Sequence, residues 1–576
     1  MGSFLVHSAV LVAGLAVLPH IVGDFWAFTL ALYFLYAIGA MGVGLCWGQA
    51  GFLPLGQAMF FGLSAYLSGL ALIHFKDSLL LILLLPAAAL LPGLIAFGIG
   101  LLIFRGRMRS GPYFAMITLA MALLAFQIAN SWNSVTGGFN GLKHIPSLPG
   151  LSGFFELYYV AAIALAAVVL ATAWMLRAPI GVMWRALAQN ERRVAFFGFR
   201  VHEMKAVVFG ISGVMAGIGG VLYAPQQNLV TPQLCGFILS ADLVIWAAVG
   251  GRATLYGPVV GAVFIGILTA ELRDQISYWE VILAVVFIVV VLYFRQGLMG
   301  FIEPLVARLW PASDQPSEAA PQRAAGDGPT NLRIDGVSAA AGDVRILDGL
   351  NLAIDAPGIY CLIGPNGAGK TSCFNVMTGE LRAQSGHIRL LGEDTTGAPA
   401  DRLSRRGIGR KFQIPNVFPD HTVSENLTIA LWGGRCRPID LLRPSLHRWR
   451  SPIRNELEDC FPFLKEHAKP ARDLSHGQRQ ILELAMVLCT EPRLLLLDEP
   501  SAGLSTAETM EVVEAIRWAS ERLGACTIIV EHDMAFVREL AERVFVMHQG
   551  RLLAQGSVRE IQENKDVQAV YVGATQ

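Results

Sequence analysis

Long apolar stretches follow one another along the first half of the chain, from its start to about Phe294. Most are close to the roughly 20 residues that an α-helix needs to cross the hydrocarbon layer of a membrane. The pattern predicts a polytopic α-helical membrane domain over residues 1–310, with about ten spans. The predicted spans are residues 3–22, 26–46, 51–73, 79–104, 112–131, 156–175, 205–224, 238–250, 257–271 and 279–294.

Two glycine-rich regions interrupt the simple pattern. "LVIWAAVGGRATLYGPVVGAV" holds the eighth and ninth stretches, which are short and are either full spans or broken, re-entrant helices. "GQAGFLPLGQAMFFGLSAYLSG", residues 48–69, suits either close helix packing or an unwound segment that faces a substrate. Asp242 is the clearest ionisable residue in a span, and it either faces the bundle interior or pairs with a neighbour near a helix end.

Basic residues predict the orientation in the membrane. Most of them lie in two loops. The first loop holds Arg105, Arg107 and Arg109, and the second holds Arg177, Arg185, Arg192, Arg193, Arg200 and Lys205. Because basic loops are retained on the cytoplasmic side, both loops and the chain after the last span are predicted to be cytoplasmic. The expected location is the cytoplasmic (inner) membrane, with multiple passes and with the second half of the chain in the cytoplasm.

The distribution of charge divides the chain at the end of the apolar region. Roughly 29 of the 88 charged residues precede position 330, although that stretch makes up more than half of the chain. "PASDQPSEAAPQRAAGDGPT", residues 311–330, is predicted to be a flexible linker. From residue 331 to residue 576, strand and helix patterns alternate as in an α/β domain.

Composition argues against several other partners. The formal net charge is zero, so no nucleic-acid partner is expected. The basic stretch "WGGRCRPIDLLRPSLHRWRSPIR" is predicted to be a solvated surface near anionic lipid headgroups. The eight cysteines are scattered without metal-ligand spacing, which predicts neither a zinc site nor a disulfide framework.

A phosphate-binding loop is predicted at the start of the α/β domain. "GIYCLIGPNGAGKTS" joins the apolar run of a buried strand, a glycine-rich turn and the opening of a helix, which is the context of a P-loop. Its glycines let backbone N–H groups approach phosphate oxygens, Lys370 reaches the outer phosphates, and Thr371 can ligate Mg²⁺. The predicted ATP-binding residues are Gly364, Pro365, Asn366, Gly367, Ala368, Gly369, Lys370, Thr371 and Ser372.

A second nucleotide element is "RLLLLDEPSAGLS", residues 493–505. Four leucines predict a strand buried on both faces, and Asp498 at its end can hold Mg²⁺ directly or through water. Glu499 is placed to orient or deprotonate an attacking water. Both carboxylates directly follow a fully apolar strand, which favours ATP hydrolysis over an exposed acidic turn.

Three further motifs resemble those of ATP-binding cassette (ABC) proteins. "LSHGQRQ" is similar to the ABC signature, with His476 where glycine is commoner, and "RKFQIPNVF" and "IIVEHDM" resemble the Q-loop and the switch strand. The resemblance implies an α/β P-loop NTPase of ABC type that works as a head-to-tail dimer. It also implies catalytic roles for Glu499, His532 and Gln413, Mg²⁺ ligation by Thr371, Gln413 and Asp498, and closure over the partner's ATP by Ser475, Gly477 and Gln478.

The first half resembles the permeases for branched-chain amino acids. The similarity lies in "SGPYFAMITLAMALLAFQIANSWNSVTGGFNGL", "RALAQNERRVAFFGFRVHEMKAVVFGISGVMAGIGGVLYA" and "AAVGGRATLYGPVVGAV". In that family the loop around Ala188, Glu191 and Gly198 docks on the ATPase. With one P-loop and one set of spans, the chain is expected to be half of a transporter. Its implied partners are a second permease and a second ABC ATPase subunit, or a second copy of itself, and an extracytoplasmic solute-binding protein.

The substrate class stays open at this point. Branched-chain amino acids are the first interpretation, whereas "LSHGQ", "RKFQIPNVF" and "VQAVYVG" resemble the urea and short-amide branch more closely. A membrane-tethered ABC ATPase that acts as a sensor or a mechanical lever is the alternative of another class. One departure from the family pattern bears on nucleotide binding: Ala341 stands where an aromatic residue usually stacks on adenine, and Val344 is an alternative contact.

Overall fold

The computed structural model describes residues 2–105, 111–151, 153–273, 275–294, 296–301, 318–320, 331–443, 446–447 and 449–573. Apart from 318–320, the predicted linker lies outside these residues, as do Arg107 and Arg109 of the first basic loop. The chain forms two compact units, Met1–Ala188 with Val201–Asp314, and Gln189–Arg200 with Gln315–Gln576. The segment Gln189–Arg200 therefore groups with the second half of the chain, although it lies between two stretches of the first unit.

The first unit is built from α-helices, as the apolar pattern predicts. Its helices, with α8 of the second unit in chain order, are α1 (Gly2–Gly44), α2 (Gln57–Phe75), α3 (Leu81–Arg105), α4 (Pro112–Ser131), α5 (Asn133–Thr136), α6 (Phe154–Arg177), α7 (Pro179–Gln189), α8 (Glu191–Phe196), α9 (Val201–Gln227), α10 (Phe237–Gly250), α11 (Gly257–Arg273) and α12 (Trp279–Tyr293). Two short strands, β1 (Leu142–Lys143) and β2 (Leu229–Val230), pair antiparallel.

Within the described residues, six helical stretches are long and apolar enough to cross a membrane: Ala13–Gln49, Gln57–Phe75, Leu81–Arg105, Pro112–Ser131, Phe154–Arg177 and Val201–Gln227. The first two predicted spans both lie within α1, which consists of two helical stretches joined at a kink at Gly23, with φ 79° and ψ 175°. Glycine adopts this conformation because it lacks a Cβ atom. The last three predicted spans correspond to the shorter helices α10, α11 and α12.

Residues 48–69 contain an irregular stretch and a closely packed stretch, in different parts. After α1, a π-helical turn at Leu45–Gln49 leads into an irregular stretch, and the helix resumes only at Gln57. Further along, a Cβ atom on Gly62 would lie 2.3 Å from Cys235 Sγ, so this part of α2 is closely packed. Irregular backbone at membrane depth is tolerated where protein surrounds it.

Glycines bring α3 and α9 into close contact. A Cβ atom on Gly217 would lie 2.2 Å from the carbonyl oxygen of Ala89, and one on Gly93 would lie 2.2 Å from Val214 Cγ2. In a membrane, helices associate through such close packing because lipid offers no hydrophobic driving force between them.

Helices α10 and α11 are separate short helices joined by a tight connection. A Cβ atom on Gly250 would lie 1.6 Å from the carbonyl oxygen of Gly257, so the two helix ends touch through their backbones. Asp242 lies inside α10, and among the described residues no basic side chain forms an ion pair with it.

The second unit contains two main sheets. The larger has the order β14-β13-β6-β12-β11-β9 and consists of β6 (Gly358–Ile363), β9 (Ile408–Lys411), β11 (Leu494–Asp498), β12 (Cys526–Val530), β13 (Arg543–His548) and β14 (Arg551–Gly556). All its neighbouring strands are parallel except β13 and β14. The smaller sheet is antiparallel and consists of β4 (Leu332–Ala341), β5 (Val344–Ile354), β7 (Ser385–Leu390) and β8 (Glu393–Asp394).

The helices of this unit alternate with its strands. They are α13 (Lys370–Met377), α14 (Ala400–Arg405), α15 (Val423–Trp432), α16 (Pro452–Cys460), α17 (His476–Leu488), α18 (Thr506–Leu523), α19 (Met534–Leu540), α20 (Val558–Glu563) and α21 (Lys565–Gly573). A parallel pair, β3 (Glu318–Ala319) and β10 (Trp449–Arg450), lies apart from both sheets. Because β6, β11 and β12 are adjacent and parallel, the loops that leave them meet at one edge of the sheet.

Candidate nucleotide site

The glycine-rich loop lies between β6 and α13, in the predicted strand, turn and helix context. Gly367 and Gly369 have φ angles of 82° and 99°, in the left-handed region that other residues rarely adopt. Successive backbone N–H groups in such a turn form a concave site for anions. An open cleft of about 550 Å³ adjoins the loop, lined by Pro365, Asn366, Gly367, Ala368, His548, Gln549, Ala569 and Val570.

Lys370 begins α13 and folds back over the loop. Its ammonium group donates hydrogen bonds to the carbonyl oxygens of Gly364 at 2.8 Å and Pro365 at 3.1 Å. Burial lowers the pKa of Lys370, and the negative charges of Glu499 and Asp498 offset only part of this shift. Thr371 and Ser372 follow in the first turn of the helix, and Thr371 is exposed.

Asp498 ends β11, the strand of four buried leucines. The residue is 2% exposed, and its Oδ1 has no hydrogen-bond partner among the described residues. Burial raises the pKa of Asp498, and the guanidinium of Arg410, 3.8 Å from Oδ2, opposes this shift. The orphaned carboxylate oxygen of Asp498, the hydroxyl of Thr371 and the amide oxygen of Gln413 are of the kinds that ligate Mg²⁺.

Glu499 has a backbone conformation that is unusual for its residue type. Its φ is 44°, in the left-handed region, and its N–H donates to the carbonyl oxygen of Val530 at 2.9 Å. Strained backbone of this kind persists where the surrounding structure fixes it, and it is common at functional sites. Gln413 Nε2 donates a 2.7 Å hydrogen bond to Glu499 Oε2, so the structure brings these two predicted residues together.

His532 follows β12, and its side chain is 69% exposed. The preceding residue, Glu531, is fully buried and was not singled out from the sequence. Glu531 accepts hydrogen bonds from the N–H of Ser501 at 3.1 Å and from the N–H of His532 at 3.1 Å. It thereby joins the loop after Glu499 to the loop that carries His532. The signal available in the sequence was an acidic residue that directly follows the apolar strand "CTIIV".

The residues of the predicted signature lie at the start of α17. Ser475 caps this helix by accepting from the N–H of Gln478 at 3.1 Å, and Gln478 Oε1 accepts from the N–H of Ser475 at 3.1 Å. Gly477 lies against α18, since a Cβ atom on it would be 2.1 Å from Glu508 Oε1. Among the described residues, no hydrogen bond joins these three residues to the glycine-rich loop of the same chain.

The hairpin of β4 and β5 lies beside the glycine-rich loop. A Cβ atom on Gly369 would be 3.1 Å from the carbonyl oxygen of Ile346 and 3.1 Å from Leu347 Cδ2. At the tip of this hairpin, Ala341 pairs with Val344, whose side chain is 68% exposed. Ala341 itself is exposed at the end of the hairpin.

The segment Gln189–Arg200 contributes residues whose role the sequence did not reveal. From the sequence, Arg193 is only one of several basic loop residues. In the structure its guanidinium lies 3.3 Å from Glu483 Oε1, and both side chains are fully buried. Asn190 donates to Asn416 Oδ1 at 2.9 Å, and Gly198, with φ 88°, lies against Arg405. Arg192 forms an ion pair with Glu380. Of the other two residues predicted to dock, Glu191 begins α8 in this segment, and Ala188 belongs to the first unit.

A phosphate-binding loop after β6, the buried Asp498 with Glu499 directly after it at the end of β11 in the same sheet, and a glutamine and a histidine from the flanking loops define an ATP-binding cassette ATPase. Comparison with known families agrees for both halves. Residues 25–292 match "Branched-chain amino acid transport system / permease component", and residues 347–502 match "ABC transporter". The chain belongs to the branched-chain amino acid ABC transporter family and joins a permease and an ATPase in one polypeptide.

Individual relatives cover the ATPase half. The chain is 33% identical over 250 residues to the high-affinity branched-chain amino acid transport ATP-binding protein BraF of Pseudomonas aeruginosa, covering 42% of this chain and 97% of BraF. It is 35% identical over 249 residues to the corresponding protein LivG of Escherichia coli K12, covering 42% of this chain and 97% of LivG. A crystal structure of a nucleotide-free ATP-binding cassette from an ABC transporter aligns with 25% identity and a TM-score of 0.37, over 42% of this chain and 98% of that one. The predicted fold class and family are confirmed.

Proposed function

We propose that the chain imports branched-chain amino acids across the cytoplasmic membrane, as the fused permease and ATPase half of an ABC importer. Both halves support this proposal, because the permease family and the relatives BraF and LivG carry branched-chain amino acid transport in their names. Basic loops that flank the spans support an ATPase half in the cytoplasm. One observation carries the coupling to ATP hydrolysis: Arg193, from a segment between two stretches of the membrane unit, pairs with Glu483 inside the ATPase unit.

The geometry supports distinct roles in hydrolysis for the residues after β11 and β12. Glu499 acts as the general base toward water, held by Gln413 at 2.7 Å. His532 contacts the γ-phosphate, and Lys370 exchanges its contacts with loop carbonyls for contacts with the outer phosphates. Thr371, Gln413 and Asp498 would hold Mg²⁺, which would supply positive charge to neutralise the phosphates. Their side chains supply hydroxyl, amide and carboxylate oxygens, and the unpartnered Oδ1 of Asp498 favours a cation there.

The transporter contains further subunits. Ser475 and Gln478 cap α17, and in the residues that the structure describes neither they nor Gly477 forms a hydrogen bond to the glycine-rich loop of their own chain. This supports a second ATPase whose nucleotide they cover. We infer a heteromer with a second permease and a second ABC ATPase, with a homodimer as the alternative. An extracytoplasmic solute-binding protein delivers the substrate, and lipid surrounds the permease.

Uptake into vesicles tests the proposal. Right-side-out vesicles that contain the complete transporter would be loaded with ATP inside and supplied with the cognate binding protein outside. Labelled leucine, isoleucine and valine are expected to accumulate, and the Glu499→Gln transporter is the matched control. Accumulation of urea or short amides instead would assign the urea branch, and ATPase activity without uptake of any of these solutes would support a sensor or lever.

A further inference from the structure

Arg193 is an arginine buried inside the ATPase unit. Its Nη1 donates to the carbonyl oxygen of Arg410 at 2.8 Å, its Nη2 donates to the carbonyl oxygen of Glu483 at 3.3 Å, and its guanidinium pairs with the Glu483 carboxylate. The guanidinium also lies over the ring of Phe197 at 4.7 Å. A buried charge without its counter-ion is strongly unfavourable, so Arg193 requires Glu483 when it is buried here.

Glu483 connects Arg193 to the predicted catalytic pair. Its Oε1 also accepts from the backbone N–H of Phe412 at 3.2 Å. The next residue is Gln413, whose side chain holds Glu499 at 2.7 Å. The carboxylate that neutralises Arg193 therefore also fixes the main chain from which Gln413 reaches the general base.

Arg192 leads to Asp498 by a second route. It pairs with Glu380, and Glu380 Oε2 accepts from Arg410 Nη1 at 2.8 Å. Arg410 Nη2 lies 3.8 Å from Asp498 Oδ2, and the same guanidinium is held by Thr378 at 2.8 Å and Asn375 at 2.8 Å. Phe412 separates the two arginines of this route, with the Cζ atoms of Arg192 and Arg410 4.1 Å and 4.8 Å from its ring centre.

We propose that Arg192 and Arg193 are positioning residues for ATP hydrolysis, acting through Glu380–Arg410 on Asp498 and through Glu483–Phe412 on the Gln413–Glu499 pair. The inference rests on the proposed function, because it assigns a hydrolytic consequence to the segment that couples transport to the ATPase. When the segment Gln189–Arg200 is buried in the ATPase unit, the carboxylates of Asp498 and Glu499 have Arg410 and Gln413 beside them. When it withdraws, Glu483 loses its counter-ion and the main chain at Phe412 loses a fixed anchor.

The test compares three variants of the complete transporter, purified through a tag on this chain. Arg193→Met removes the cation, Glu483→Gln keeps an acceptor for the Phe412 N–H, and the double variant restores a neutral buried pair. Arg517→Met is the matched control, because Arg517 forms an exposed ion pair with Glu539 in the same unit. For each variant, kcat and KM for ATP, bound ATP per complex and the thermal midpoint would be measured.

Arg193→Met is expected to lower kcat per ATP-bound complex by roughly 2- to 30-fold, with little change in KM for ATP. The double variant is expected to recover the thermal midpoint without recovering kcat, whereas a purely structural pair would recover both together. Arg192→Met should have a smaller effect, since its side chain is 49% exposed.

Unchanged kcat per ATP-bound complex in Arg193→Met would overturn the proposal, as would a double variant that regains both midpoint and kcat. Normalising to bound ATP removes any loss that is due only to misfolding. Failure of amino acid uptake by the wild-type transporter, with the ATPase effect intact, would refute the proposed substrate and leave the positioning role standing.

Discussion

Gln413 and Glu499 come from loops after two neighbouring parallel strands, β9 and β11, and their side chains meet in a 2.7 Å hydrogen bond. The amide of Gln413 donates and the carboxylate of Glu499 accepts. Because the backbone of Glu499 is also held in a left-handed conformation by the carbonyl of Val530, the carboxylate has little freedom to move. A general base that is oriented before the substrate arrives needs less reorganisation at the moment of reaction.

Glu499→Gln should keep ATP binding and lower turnover by roughly 10²- to 10⁴-fold. The amide cannot accept a proton from water, yet its Oε1 can still accept from Gln413, so the local structure is retained. Equilibrium ATP binding and steady-state hydrolysis in the purified transporter check this. Near-normal hydrolysis in the variant would remove Glu499 from the role of general base.

Lys370→Ala should weaken nucleotide binding itself. The ammonium of Lys370 is held above the loop by two backbone carbonyls, from which it can turn to phosphate oxygens without leaving the site. Titration with ATP measures the loss, and Lys469→Ala, at a surface ion pair with Glu466, serves as control. Wild-type affinity in Lys370→Ala with slowed hydrolysis would instead make the lysine a purely catalytic group.

Ala341→Tyr should tighten ATP binding several-fold. Aromatic stacking on a base contributes roughly 1–3 kcal/mol in nucleic-acid sites, equivalent to about 5- to 150-fold in affinity, and Ala341 provides none of it. Wild type should accordingly discriminate poorly between ATP and GTP. Titrations with ATP and with a ribose triphosphate that lacks the base separate stacking from phosphate contacts. Equal affinities in wild type and variant would mean that Val344 or another group already covers the base.

The transporter should be inactive with a single copy of the ATPase. Ser475 and Gln478 form a capping box at the start of α17. In the proposed head-to-tail arrangement, they and Gly477 cover the ATP of a second subunit, and a single copy lacks that contact. Sedimentation of active preparations, with hydrolysis measured on the same fractions, checks the stoichiometry. Hydrolysis at the full rate in a fraction that contains one copy and no partner would contradict the head-to-tail arrangement.

Gly217→Val should destabilise the membrane unit by about 1–3 kcal/mol or prevent its folding, because overpacking forces helices apart. A Cβ atom at Gly217 would lie 2.2 Å from the carbonyl oxygen of Ala89, whereas one at Gly98 would meet no atom within 4 Å. Gly98→Val, on α3, is therefore the matched control. Thermal midpoints in detergent decide the matter, and equal midpoints for the two variants would contradict close packing of α3 on α9.

The nucleotide site was predictable because its chemistry is encoded locally. The turn that holds phosphates requires several glycines within a few residues, and Asp498 and Glu499 stand at the end of an apolar strand. The regular helices were equally predictable, since spanning a membrane demands long apolar stretches. The alternatives for residues 48–69 could not be separated in advance, because glycines serve both an irregular backbone and close packing.

The contacts of Arg193 could not be predicted in the same way. A basic loop residue is usually solvated, and no local pattern indicates that a carboxylate 290 positions later will neutralise it. Glu531 is similar, because its partners Ser501 and His532 come together only through the order of strands β11 and β12. In both cases the informative relation is between distant segments, and tertiary structure alone creates it.

The seating of Gln189–Arg200 in the ATPase unit also sets an order of events during synthesis. Arg193 leaves the ribosome 290 residues before Glu483 does. At roughly 5 to 20 residues per second, this separation corresponds to about 15 to 60 s. Throughout that interval the helices of the membrane unit can insert and pack, while Arg193 and the neighbouring Phe196 and Phe197 have no protein surface to receive them. Burial of this segment is therefore a late step of maturation. Each newly made chain passes through a stage in which the membrane half has been synthesised and the ATPase unit that buries Arg193 has not yet folded.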